Sequence, residues 1–181
     1  MVCIQGFNQL SYIKEETSVW QDAIYNGCLS AVPVSFAGAY LHYADFQVFF
    51  RMMSESGQMG RGTATGLGPG LKGFSTILPR YGLEWDGEEY GPLTFLRTFH
   101  RQAFVLCGFY LKNSNSGQAI AFFADPQPAS ESTYLFDPDH GLFRGDSRYS
   151  FDEQLENYLL NQYPDIDSGR VSFRNVRCTL A

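Results

Sequence analysis

The chain has 181 residues, a formal net charge of −6 and a pI near 5.0, and no run of Lys or Arg builds the positive stripe that a phosphate backbone requires, so nucleic acid is not an expected partner. Hydrophobic residues make up 44% and aromatic residues 16%, too much apolar surface for a disordered chain, and the length suits one domain over residues 1–181. No apolar run approaches the ~20 residues that span a bilayer, and no charged segment followed by an apolar one marks a cleavable secretion signal.

Residues Ser18 to Tyr25 read as a short helix or turn leading into Asn26-Gly27-Cys28. From Leu29 to Met53, apolar residues recur at mixed three and four spacing (Val34, Ala37, Leu41, Ala44, Val48), which predicts one long central helix with Cys28 at its N-terminus. Pro33 is comfortable only in a first turn, so the regular helix begins near it or starts irregularly. Seven glycines between Gly57 and Gly73 predict an irregular, exposed loop, and without Gly-Lys-Ser/Thr it lacks a phosphate-cradling signature. Pro92 to His100 suit another short helix.

The second half changes period. Ala103–Leu111, Gln118–Phe123, Tyr134–Asp137 and Gly169–Leu180 are aromatic and β-branched runs separated by turn-forming clusters, and they predict an antiparallel meander. Ser150-Phe151-Asp152-Glu153 is a capping box that opens an amphipathic helix through Phe151, Leu155, Tyr158 and Leu159, stopped by Pro164. Helices first, then a sheet with one late helix, define an α+β class with segregated layers.

Four cysteines, Cys3, Cys28, Cys107 and Cys178, lie far apart with no C-x-x-C pair, so neither a metal knuckle nor a thioredoxin motif is present and a reducing compartment is the simpler setting. Cys107 and Cys178 stand in apolar strand-like runs and read as buried fillers. Cys28 is different, because a helix N-terminus supplies partial positive charge that favours thiolate, the nucleophilic form.

Two segments carry a family likeness: Gly117-Gln118-Ala119-Ile120-Ala121, and then Phe136-Asp137-Pro138-Asp139-His140-Gly141-Leu142-Phe143. With Cys28 ahead of the predicted helix, the chain resembles the YopT/AvrPphB family of papain-like cysteine proteases from injected bacterial virulence factors. That family places Cys at the head of the central helix, His in G-H-A-I/V-A and Asp in F-D-P-x-x-G-x-F. The second motif is the more specific match, and the likeness covers residues 18–180 at the level of architecture. It implies a papain-like fold, a protein substrate or partner, no cofactor or metal, and a bacterial protein injected into the reducing cytosol of a target cell. Residue by residue it implies Cys28 as nucleophile and Asp137 as the acid that orients an imidazole. Gln21 or Asp22 falls at the oxyanion-stabilising place, and Gln21 is the better donor because an amide N–H can bond an oxyanion. Asp-Pro ahead of a glycine is also a turn former in its own right.

Gln118 departs from the family pattern, since it stands where the histidine belongs and an amide can neither accept the thiol proton nor return one to a leaving group. His140, inside the Asp137 motif, is the first candidate for a substitute base, ahead of His100 and His42. Two classes of function stay open. One is an enzyme that forms a thioester at Cys28, either a protease expelling a peptide amine or a glutamine deamidase expelling ammonia. The other is an inactive relative that binds a protein as decoy, inhibitor or adaptor, with Gln118 holding the shape of the site without its chemistry.

Overall fold

The computed structural model describes residues 1–9, 31–56, 71–91, 104–113, 117–125 and 132–179. Seven strands, β1 (Val2–Gly6), β2 (Leu83–Tyr90), β3 (Phe104–Leu111), β4 (Gly117–Ala124), β5 (Thr133–Asp137), β6 (Gly141–Arg144) and β7 (Ile166–Cys178), form one antiparallel sheet in the order β1-β6-β5-β4-β3-β7-β2. The expected meander is its β3-β4-β5 part. The final strand lies beside β3 rather than at an edge, and β1, β2 and β6 are additions that the sequence pattern did not suggest.

Helices α1 (Ala31–Tyr43), α2 (Gln47–Ser56) and α3 (Leu71–Ile77) belong to the first half, and α4 (Phe151–Gln162) to the second. The long central helix predicted over Leu29–Met53 is therefore two helices. Ala44 adopts a left-handed φ of 52°, its N–H donating to Tyr40 O, and Asp45 Oδ1 accepts the Gln47 N–H at 2.8 Å. A short acidic side chain that caps the next helix costs the continuous helix its advantage. Pro33 falls in the first turn of α1, where its missing N–H removes no bond. Leu71 to Gly73, the end of the predicted glycine loop, open α3 instead, while residues 57–70 and 92–100 lie outside the described residues.

Alternation along the strands divides the core between the two faces of the sheet. One face packs against α1 to α3 through Ala119, Ala121, Phe123, Phe136 and Val176. Phe36 of α1, fully buried, stacks on Phe136 with centroids 4.2 Å apart and meets Phe49 and Phe123 at 5.3 and 5.8 Å. The other face, through Val105, Cys107, Phe109, Ile120, Phe122 and Leu135, is covered by Leu155, Tyr158 and Leu159 of α4. Each large side chain buried in this way stabilises by about 1.5–3 kcal/mol before entropy is counted.

The capping box works as its spacing implies: Ser150 Oγ accepts the Glu153 N–H at 3.2 Å, with Asp152 and Glu153 in the positive first turn of α4. Gln154, almost fully buried, ties the preceding loop to the helix by accepting from Asp146 N–H and donating to Asp146 O and Tyr149 O. These bonds fix the start of α4, and so the positions of Tyr158 and Tyr163 near its end. No described helix is long and apolar enough to cross a membrane.

Candidate functional site

Asp137 ends β5 with 1% of its surface exposed, and a carboxylate so buried survives only with full hydrogen bonding. Its Oδ2 accepts from the Tyr158 hydroxyl at 2.9 Å, the Tyr163 hydroxyl at 2.8 Å and His140 Nδ1 at 3.1 Å, and its Oδ1 accepts from the Asp139 N–H at 2.8 Å. His140 N–H donates in turn to Asp137 O, closing a four-residue turn with Pro138 second, the position its fixed φ favours. Asp137 thus both begins a turn and accepts from an imidazole. Gly141 follows with φ 122°, and a Cβ there would strike the backbone of Gln5 to Phe7, so the motif glycine is what lets β1 lie against the turn.

Electrostatics follow from this packing. Burial, and then the Asp137 charge, push the Tyr158 and Tyr163 phenols well above their usual range, which keeps both as O–H donors. The hydrogen bond to Asp137 raises His140 despite partial burial, so the carboxylate favours the imidazolium. The ring is 38% exposed and reaches solvent while its Nδ1 is held.

Gln118 lies on β4 on the same face as Ile120 and Phe122. The β4–β5 ladder ends at Ala121 and Phe136, so Gln118 stands beyond it, on the part of β4 nearest the turn after Asp137. The Asp139 carboxylate accepts from Gln9 Nε2 at 2.7 Å, and the nearby Gln118 side chain favours its ionised form to a smaller extent. Burial nevertheless raises the Asp139 carboxyl, with the neighbouring Asp137 charge adding to the effect. Gln9 is 4% exposed, its N–H donates to Pro138 O, and its Oε1 has no hydrogen-bond partner among the described residues.

The structure therefore brings Gln118, Asp137 and His140 to one end of the sheet and adds Asp139 and Gln9 beside them. Cys28 and Gln21 lie outside the described residues. Both Gln118 and Asp137 belong to the face that α4 covers, whereas α1, the helix that follows Cys28 in the chain, packs on the opposite face. An open groove of about 460 Å³ runs beside α4 past Phe143, Tyr149, Glu153 and Tyr158, and the Asp137–His140 pair does not line it. Among the described residues no group of three His, Cys, Asp or Glu is placed to hold a metal.

Sequence reasoning missed the two tyrosines, because Tyr158 reads as one more apolar contact on α4 and Tyr163 as the residue before a helix-stopping proline. It also misread Cys178, which is half-buried and bonded to His42, whereas Cys107 is the buried filler expected.

Helices packed on a seven-stranded antiparallel sheet with an Asp-Pro turn at the end of β5 define an α+β fold of the papain-like kind. Among solved structures the chain is similar to the Pseudomonas avirulence protein AvrPphB, with a TM-score of 0.52 over 93% of this chain and 99% of that one at 15% identity. A likeness at that identity is one of fold. No family model matches the sequence, and no curated protein matches it significantly.

Proposed function

We propose that the chain is an effector-type papain-like domain that acts on a protein through a thioester at Cys28, with His140 as the base and Asp137 as its orienting acid. The observation that carries this reading is the 3.1 Å bond between His140 Nδ1 and the buried Asp137 carboxylate. A carboxylate that holds Nδ1 fixes the tautomer and leaves Nε2 to exchange a proton with a thiol. Nε2 takes the Cys28 proton, the thiolate adds to an amide carbonyl, and the Gln21 N–H stabilises the oxyanion. Collapse expels the amine, protonated by His140, and leaves a thioester. Water then adds as His140 takes its proton, releasing the acid and the thiol. Proteolysis and glutamine deamidation share these steps and differ in the amine that leaves. The resemblance to injected virulence proteins supports a protein target in a reducing cytosol.

Gln118, standing where the family motif has its histidine, favours a second reading, a binding module that keeps the shape of the site without a base. The test is the rate at which iodoacetamide alkylates Cys28 at pH 7, mapped by mass spectrometry. The enzyme reading expects at least about a tenfold slowing in His140→Gln. Slow alkylation in the parent, unchanged in His140→Gln and accelerated in Gln118→His, would establish the binding module instead.

A further inference from the structure

A second thiol–imidazole contact joins two elements far apart in the chain. Cys178 Sγ, at the end of β7, lies 3.6 Å from Nδ1 of His42, in the last turn of α1, and the other ring nitrogen, Nε2, lies 2.7 Å from Tyr81 O. A carbonyl oxygen only accepts, so Nε2 carries the hydrogen. The neutral ring then presents a bare Nδ1, and the only sense left for the contact is S–H donating to it.

The surroundings hold both partners in place. Leu83 pairs with Cys178 across β2 and β7, and Thr179 N–H donates to Gly82 O at 2.9 Å, which pins the end of β7. Gly82 has a φ of 63°, and a Cβ there would stand 3.3 Å from His42 Nε2 and 3.4 Å from Cε1. A side chain there would press the ring by a few tenths of an ångström, in a backbone conformation other residues adopt at a cost. His42 is exposed and Cys178 half-buried, so a small reagent reaches the sulfur.

We propose that Cys178 and His42 form a reactive dyad, a modification site for small soft electrophiles and in particular for peroxides. His42 Nδ1 takes the thiol proton, and the thiolate attacks one oxygen of hydrogen peroxide. The S–O bond forms as the O–O bond breaks, and the departing hydroxide takes the proton from the imidazolium and leaves as water. Sulfur is oxidised to the sulfenic acid and peroxide is reduced; a thiol reductant restores the cysteine. The other described thiols are natural controls. Cys3 is exposed on β1, and Cys107 is fully buried with its thiol pushed up to about 12 by desolvation.

The test uses the full chain, pulsed with hydrogen peroxide at pH 7 and trapped with dimedone, with adducts at every cysteine quantified by peptide mapping. Cys178 is expected to form sulfenic acid at least about tenfold faster than Cys3, and His42→Gln to remove that advantage while leaving Cys3 unchanged. Equal rates at Cys178 and Cys3 in the parent would overturn the proposal, and that comparison stands even where His42→Gln does not fold. A fast Cys178 untouched by a folded His42→Gln variant would overturn it equally.

Discussion

His140 and His42 are both held through one ring nitrogen, but by different groups in different surroundings. At His140 the holder is a buried carboxylate that also takes two tyrosine hydroxyls, so a full negative charge sits beside the ring and favours its protonated form. At His42 the holder is the Tyr81 carbonyl, which decides the nitrogen that carries the proton and adds no full charge. The first arrangement is deep in the structure and expensive to disturb. The second lies at the surface and rests on the shape of one glycine. One fold can thus orient an imidazole by charge or by backbone geometry, and only the former ties orientation tightly to stability.

The contrast should appear first in stability. Asp137→Ala leaves two buried hydroxyls and a ring without their acceptor, and a loss of about 3–5 kcal/mol in urea unfolding is expected. A loss below about 1 kcal/mol would mean that the carboxylate is not the anchor of its end of the sheet. Tyr163→Phe removes one hydroxyl donor from the buried charge and should cost about 2 kcal/mol by the same measurement. Gly82→Ala, at the other imidazole, should cost about 1–2 kcal/mol for its left-handed backbone. It should also slow Cys178 oxidation without shifting the NMR titration of His140; a shift there would show that the two sites are coupled.

The smallest effect is one of pH. His140 is raised in the folded state by its bond to Asp137, so its contribution is complete below the unfolded value of about 6.5 and is lost as pH rises through the folded one. Stability should decline with pH across that window, and His140→Gln should flatten the decline. A parent profile already flat there would show that the ring gains nothing from the carboxylate.

The legible parts of this chain were those whose signals are local. The Ser150 capping box, the strands around Cys107 and Ile120, and the Asp-Pro turn each rest on neighbours within a few residues. The strand β2 was invisible because Leu83–Tyr90 is rich in acidic residues and interrupted by Gly87 at φ 74°, the pattern of a sheet edge rather than of a buried strand. The break at Ala44 hid behind an apolar period that continues across it. At the site, the Asp-Pro turn could be read from its residues, but the bonds of Tyr158 and Tyr163 to Asp137 depend on packing between α4 and the sheet that no spacing reveals. Cys178 and His42 are 136 positions apart, and no periodicity relates them.

The sheet order has a consequence for how the molecule is completed. Within the sheet β2 pairs with β7 alone, and Leu83 meets Cys178 at the far end of that pairing. While the chain is being made, β2 must therefore wait, without a ladder of its own, until β7 has followed β3 to β6. Because Cys178 reaches His42 only when the end of β7 has docked beside α1, its reactivity toward peroxide doubles as a timer: in a refolding experiment, the moment the sulfur becomes fast is the moment β7 has taken its place.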